Sequence, residues 1–289
     1  MQKLQYWDLS ATDMAKEYIA SCCRTRNKCT LLTLVIIILM ICLEFFCGLP
    51  EVMCDRLFLF LAALIVFVHS GVKKKELSQH KDKLAAVLYD DINPQKYAKI
   101  FNELEKIYPP KWDRVFLLTE QAAAYFYLPD AQKAYDILKR ISLSQKPLPR
   151  WVDTYDFLAS CAYETGQHEA RQEYMVMLET VRQNAKPRTE VYERVSDIIY
   201  RQELSLKSFT DWNETDLSYF ETLLEKKKSR LGRISILYTL AAYEIDNRNL
   251  KAARTFLEYV YECKYPNVFL IRGEELLKKI ADLEMQAPV

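Results

Sequence analysis

Residues Leu117–Ile141, LLTEQAAAYFYLPDAQKAYDILKRI, contain two apolar patterns at helical spacing on either side of a short turn. Pro129 and Asp130 mark the turn, and proline starts a helix well but continues one badly. Alanine, leucine and tyrosine recur every three or four residues on both sides, which is typical of helices with one buried face. This stretch therefore predicts two antiparallel helices joined by a tight turn.

The same pattern of apolar spacing and short turns continues along the chain from residue 76 onward. Only five glycines and ten prolines occur in 289 residues, and prolines mark many of the turns. No segment has the alternation that is typical of a strand. The sequence therefore predicts an all-α fold in which antiparallel helix pairs stack as an α-solenoid. The predicted helices are 76–89, 94–107, 112–127, 131–144, 151–165, 168–184, 188–204, 214–228, 231–247, 250–263 and 267–284.

Small residues recur at matching positions in these helix pairs. In the first copy, Ala122 and Ala134 are twelve residues apart, and a later copy, LYTLAAYEIDNRNLKAARTFLEYV, has Ala241 and Ala253 at the same separation. Alanine at a helix crossing lets the two axes approach to about 8 to 10 Å. We therefore expect these four alanines at the crossings within each pair.

A third copy lies between the other two. The segment YDFLASCAYETGQHEARQEYMVML has Ala159, Gly166 and Ala170 at corresponding places, but it is one residue short between Gly166 and Ala170. The three copies agree in the order of their small and large residues. That agreement favours a true repeat over an ordinary helical core.

These copies resemble the tetratricopeptide repeat (TPR) family, whose unit is a helix pair with small residues at fixed contact points. The resemblance covers roughly residues 110–263, within which the segment Pro187–Leu231 fits only as a helix pair. It implies a TPR-like α-solenoid in which the first helix of each pair lines an inner groove. The groove would bind other proteins or peptide segments.

The resemblance places candidate groove residues on the first helix of each copy. The basic and amide side chains with which some family members clamp a terminal carboxylate are missing there. The groove is instead aromatic and mildly acidic, which suits an apolar or basic peptide segment. The alternative is that several of these aromatic residues belong to the core. The candidates are Phe116, Thr119, Glu120, Phe126, Asp153, Asp156, Tyr163 and Tyr238.

Two apolar runs near the start of the chain, Thr30–Phe46 and Leu57–Val72, contrast with the polar remainder. A membrane-spanning helix needs about 17 to 25 mostly apolar residues, so the first run is long enough and the second is at the short limit. The connector between them is too short to hold a domain. The sequence predicts a leader at 1–28, a transmembrane helical hairpin at 29–72 and a TPR-like helical domain at 73–289.

Basic residues flank both outer ends of this hairpin, whereas the connector has only Arg56. Because Lys and Arg concentrate on the cytoplasmic side, both termini and the helical domain are expected there, on a plasma or inner membrane. The leader combines apolar, aromatic and basic residues, so an interfacial helix in contact with the lipid bilayer is predicted. The flanking basic residues are Lys16, Arg24, Arg26, Lys28, Lys73, Lys74, Lys75, Lys81 and Lys83.

The hairpin also contains four residues with specific chemistry. Glu44 and Arg56 would lie at similar depth if the hairpin turns at Pro50, where a salt bridge would lower the cost of both charges. Cys47 and Cys54 are nearly symmetric about the same turn, so either a disulfide or two free thiols fits their spacing.

Composition and motifs exclude several functions. The formal net charge is +1, which does not favour nucleic-acid binding. No phosphate-binding loop, nucleophile motif or metal-ligand spacing occurs, so we expect no enzyme, no cofactor, no metal site and no small-molecule substrate. The sequence favours a membrane-anchored scaffold or adaptor that presents its groove to cytoplasmic partners. The alternative is a structural or assembly subunit of a larger integral membrane complex.

Overall fold

The computed structural model describes residues 9–47, 70–71, 73–109, 112, 114–143 and 147–286, although the side chains of residues 40 and 43–47 fall outside this description. The described residues form helices, turns and loops with no strand among them, which confirms the all-α prediction. They divide into two compact units, Met1–Ala86 and Val87–Val289.

The helices begin and end close to the predicted positions. In chain order they are α1 (Ala11–Cys47), α2 (73–89), α3 (Pro94–Ile107), α4 (Arg114–Tyr127), α5 (Ala131–Leu138), α6 (Val152–Glu164), α7 (His168–Asn184), α8 (Glu190–Leu204), α9 (Glu214–Lys226), α10 (Arg230–Asp246), α11 (Leu250–Tyr261) and α12 (Val268–Gln286).

The largest difference is at α5, which ends at Leu138 rather than at 144. The amide of Arg140 donates to the carbonyl of Ile137 at 3.1 Å, and that of Ile141 donates to Leu138 at 2.9 Å. These short-range bonds tighten the chain into a turn. The turn buries Ile141, which is 6% exposed, so packing of this side chain ends the helix early.

Helix α1 runs without a break across the predicted boundary between 28 and 29, because it contains neither glycine nor proline. Within the described part of the chain, no helix combines the length and apolar content needed to cross a bilayer.

The first half of α1 buries one face, with buried residues three or four positions apart. The Thr25 hydroxyl donates to Glu76 Oε2 at 3.1 Å and lies 3.1 Å from His80 Nε2. A small cavity of about 80 Å³ is lined by Tyr18 and Lys83, so a residue earlier in α1 meets one later in α2. The two helices are therefore antiparallel. The seam on α1, which meets α2 at Thr25, consists of Met14, Tyr18, Cys22, Thr25 and Cys29.

In the second unit, α4 packs on α5, α6 on α7 and α10 on α11 as helix pairs. The same turn joins the members of each pair, with an amide–carbonyl bond that spans five residues. Such a bond satisfies a carbonyl that the helix end would leave without a partner. The three bonds run from Asp130 to Tyr125 at 2.9 Å, from Gln167 to Ala162 at 2.8 Å and from Asn249 to Glu244 at 2.9 Å.

The alanines predicted at the crossings are buried. Ala122, Ala134, Ala241 and Ala253 are all 0% exposed. The second helix of the first pair begins with a hydrogen bond from the Ala134 amide to the Asp130 carbonyl at 3.1 Å. In the last pair, the Ala253 amide donates to the Asn249 carbonyl at the same distance. The predicted alignment of these two copies therefore agrees with their backbone geometry.

The middle copy departs from this pattern. The equivalent bond runs from the amide of Arg171, not Ala170, to Gln167 at 3.0 Å. Arg171 is 6% exposed, whereas Ala170 is only half-buried. An arginine therefore occupies the position at which the other two copies have alanine, and the apparent one-residue shortening disappears.

Candidate functional site

The eight candidate groove residues lie on α4, α6 and α10, the first helices of the three pairs. In a solenoid these helices would face a common inner surface. Seven of them form a hydrogen bond, an ion pair or a ring contact within the chain. The eighth, Thr119, is half-buried.

Glu120 on α4 accepts hydrogen bonds from two tyrosines. Tyr97 Oη is 2.8 Å from Glu120 Oε2, and Tyr89 Oη is 3.4 Å from the same atom. Burial, followed by the nearby Glu120 carboxylate, holds the pKa of Tyr89 well above its ordinary value, so this hydroxyl keeps its proton. The acidic group that sequence analysis assigned to a peptide ligand is thus bound by tyrosines of the chain itself.

The two aspartates of α6 are paired with α8. Asp156 forms an ion pair with Arg201 at 2.5 Å and accepts a bond from Gln202 Nε2 at 2.8 Å. Asp153 forms an ion pair with Arg194 near the surface. These contacts tie α6 to α8, and they leave less negative charge for a basic ligand than the sequence suggested.

The phenylalanines of α4 contact neighbouring helices edge to face, a favourable geometry for aromatic rings. Phe126 meets Phe157 of α6 with ring centroids 5.4 Å apart, and Phe116 meets Phe101 of α3 at 5.9 Å. Both are half-buried. Tyr163 on α6 is 38% exposed, with the Arg171 guanidinium 5.6 Å from its ring.

Helix α12 reaches three of the inner helices at a cluster that we call the aromatic junction: Tyr127, Tyr238, Phe269 and the pair Glu164–Arg272. The Phe269 ring lies 5.9 Å from that of Tyr127 on α4 and 5.8 Å from that of Tyr238 on α10. Burial raises the pKa of Tyr127 to about 12.

Beside these rings, Arg272 of α12 forms an ion pair with Glu164 of α6 across a separation of 108 residues. Tyr238 is thus a partner of the chain's own last helix. Phe269 and Arg272 were not among the predicted site residues, because no local pattern signals a contact between residues so far apart in the chain.

The buried Arg171 also belongs to this part of the fold. Its Nη2 donates to the Gln202 carbonyl at 2.7 Å, near the C-terminal end of α8. A cation is favourable there, because the last carbonyls of a helix lack partners and carry partial negative charge. Burial lowers the pKa of Arg171, but an arginine stays charged. Arg171 therefore anchors α7 to α8.

A different surface occurs in the first unit. From Leu31 onward, α1 carries large aliphatic side chains that are 43% to 64% exposed. Thr33 and Ile36 are half-buried and lie on the same side of α1 as the seam. The exposed residues occupy the remaining sides of the helix. We call these residues the aliphatic row: Leu31, Leu32, Leu34, Val35, Ile37, Ile38, Leu39 and Ile41.

The hairpin residues with specific chemistry are not described in their side chains. The side chains of Glu44 and Cys47 lie outside the description, and so do Cys54 and Arg56 altogether. In the described part of the chain, the cysteines are free thiols, and Cys22, Cys29, Cys161 and Cys263 are buried. No group of three or more His, Cys, Asp or Glu side chains there is arranged to hold a metal ion.

Comparison with known proteins adds no assignment, since no family model matches the chain and no curated protein matches it significantly.

Proposed function

We propose that this protein is a membrane-anchored scaffold, with a TPR-like helical domain that binds other proteins on the cytoplasmic side. The aliphatic row on α1 is the observation that carries the proposal. Eight large apolar side chains are exposed there, in a chain whose helical domain buries most of its own. On soluble proteins, large exposed apolar patches mark sites that bind a membrane or another protein.

The energetics favour a lipid environment for this row. Burying one large aliphatic side chain contributes about 1.5 to 3 kcal/mol, so leaving eight in water would be costly. The row is also too evenly distributed around the helix for one neighbouring helix to cover. In the sequence, the apolar run continues through Phe46 with Glu44 as its one charged residue.

The positions of basic residues support the orientation. The contact between Thr25 and Glu76 brings Arg26 and Lys28 of α1 to the same end of the antiparallel pair as Lys73–Lys75. Arg26 and Lys28 precede the first apolar run, and Lys73–Lys75 follow the second. Lysine and arginine at this level favour the cytoplasmic side, which would place the helical domain there as well.

The helical domain supports a binding role more than a catalytic one. Three helix pairs share one turn geometry and one crossing position, as expected of repeats that stack into an extended surface. The acidic groups and several of the aromatic groups of the inner surface are engaged within the chain. Partners would therefore bind to the remaining exposed helix faces.

Alkaline carbonate extraction of membranes tests the anchoring. We expect the full chain to stay in the membrane pellet, because a lipid-buried hairpin resists a treatment that releases peripheral proteins. External protease added to intact cells should spare residues 76–289. Release into the supernatant would contradict the anchor, and digestion of the helical domain would contradict the orientation.

The second candidate function is a structural or assembly subunit of a larger membrane complex. It is favoured by the spread of the aliphatic row over several sides of α1, since other transmembrane helices could cover those sides as well as lipid does. Purification in mild detergent separates the two functions. A stoichiometric integral membrane partner supports the subunit, whereas transient soluble partners support the scaffold.

A further inference from the structure

Helix packing at the end of the second unit follows a pattern seen earlier in the chain. After the pair α6–α7, helix α8 packs on both members, and after the pair α10–α11, helix α12 packs on both in the same way. Helix α9 packs mainly on α10, and it also meets α8 through Tyr200 and Tyr219, with ring centroids 5.0 Å apart. Among the described residues, α11 packs chiefly on α10 and α12, and α12 packs chiefly on α10, α11 and α4.

A groove lies between α11 and α12. Its volume is about 410 Å³, and Leu257, which is 1% exposed, forms its floor. The helices approach closely, since a Cβ atom on Gly273 would lie 3.4 Å from Tyr261 Oη. We call it the end groove, and its lining residues are Arg254, Leu257, Glu258, Tyr261, Glu262 and Leu277.

The charge on the rim of the end groove is negative. Glu258 of α11 and Glu262, the residue that ends this helix, lie one turn apart and are both exposed, with Arg230 3.9 Å from Glu262. Arg254, the only basic lining residue, is bound by Glu284 at 2.6 Å. Burial raises the pKa of Tyr261, and the charge of Glu274 raises it further.

We propose that the end groove binds an amphipathic helix of a partner protein, with leucine-like side chains on one face and lysine or arginine beside them. The apolar face would contact Leu257, Tyr261 and Leu277, and the basic residues would lie against Glu258 and Glu262. This rests on the proposed scaffold role and names the chemistry of one partner site.

The experiment uses the full chain in neutral phosphatidylcholine nanodiscs and a fluorescent synthetic peptide. The peptide has about 18 residues, enough to form a helix on binding, with leucines at helical spacing and flanking lysines. A control peptide carries glutamate in place of every lysine. We expect the lysine peptide to bind and the glutamate peptide not to bind. Hydrogen exchange should show new protection in α11 and α12.

A matched pair of variants locates the site. Glu258→Lys with Glu262→Lys should weaken binding of the lysine peptide about tenfold or more. Glu169→Lys with Glu173→Lys makes the same change at the same spacing on α7, where both residues are exposed, and should leave affinity unchanged. Empty nanodiscs give the background from lipid.

Three results would overturn the end-groove proposal: equal binding of both peptides, equal loss in both variants, or protection that avoids α11 and α12. A full chain that self-associates through this groove, and separates when Glu258 and Glu262 are reversed, would replace the partner helix with a second copy. None of these results bears on the membrane anchor, because carbonate extraction tests it separately on the same variants.

Discussion

Helices α1 and α10 are both rich in large aliphatic residues, yet they expose them differently. Ile234, Leu237 and Ile245 of α10 are 1% to 6% exposed, whereas Leu31 and Ile38 of α1 are 64% and 58% exposed. Helix α10 has neighbours in α9, α11 and α12. The difference shows that burial depends on the partners a helix finds within its own unit. The proposed membrane anchor would give the outer part of α1 an apolar environment.

The most severe test of this comparison places the same charge in both helices. Ile234→Asp in α10 buries a carboxylate without a partner and should destabilise the helical domain by more than about 4 kcal/mol. Ile38→Asp should leave the thermal unfolding of the helical domain unchanged but should weaken membrane retention. Circular dichroism melts and carbonate extraction measure the two effects. A loss of domain stability from Ile38→Asp would break the distinction.

The aromatic junction offers the next largest effect. Phe269 is 7% exposed between Tyr127 and Tyr238, so Phe269→Ala should lower the free energy of unfolding by about 3 to 5 kcal/mol. Ile271→Ala is the control on the same helix, because Ile271 is 46% exposed. Denaturant titration of both variants measures the difference. Similar small effects would mean that α12 does not hold the inner helices together.

Overpacking at the crossings tests the repeat alignment. Ala134→Leu and Ala253→Leu each add bulk where two helices meet, and each should cost about 1 to 3 kcal/mol. The control is Ala281→Leu, since Ala281 is exposed on α12. Melting temperatures would reveal the difference. If all three variants melt alike, the assignment of these alanines to crossings is wrong.

The smallest expected effect is a dependence on acid. The Lys207 ammonium and then the Tyr200 hydroxyl bind Asp216 and lower its pKa to about 2. The stability from this depressed pKa is fully present above the ordinary aspartate pKa near 4 and is lost as pH falls toward 2. Asp216→Asn should therefore differ from the original chain less at pH 2 than at pH 6. A constant difference across that range would exclude this contribution.

Most helix positions could be predicted from local sequence, because prolines and polar turns punctuate apolar patterns of helical period. Helices α3 and α7 begin and end at the predicted residues. The early end of α5 and the continuity of α1 were missed for different reasons. Helix α5 ends early where Ile141 is buried. Helix α1 contains no glycine or proline, so it continues across the change from a polar to an apolar sequence.

The site was less predictable, because its contacts join distant parts of the chain. The repeat pattern located the first helices correctly, but it could not show that Arg194 and Arg201 bind the two aspartates of α6. Nor could it place Phe269 against Tyr127, because these residues are far apart in the chain and no local pattern joins them. Arg171 was not predicted at the crossing of the middle pair, because its neighbour Ala170 appeared to fit the repeat pattern there.

Hydrophobic photolabelling of the full chain in its membrane tests the central claim most directly. A lipid-soluble diazirine reagent is activated in place, and labelled peptides are located by mass spectrometry. We expect the reagent to label residues 30–42 of α1 and not α10, although both segments are rich in aliphatic side chains. Label absent from α1, or equally distributed between α1 and α10, would contradict the membrane anchor.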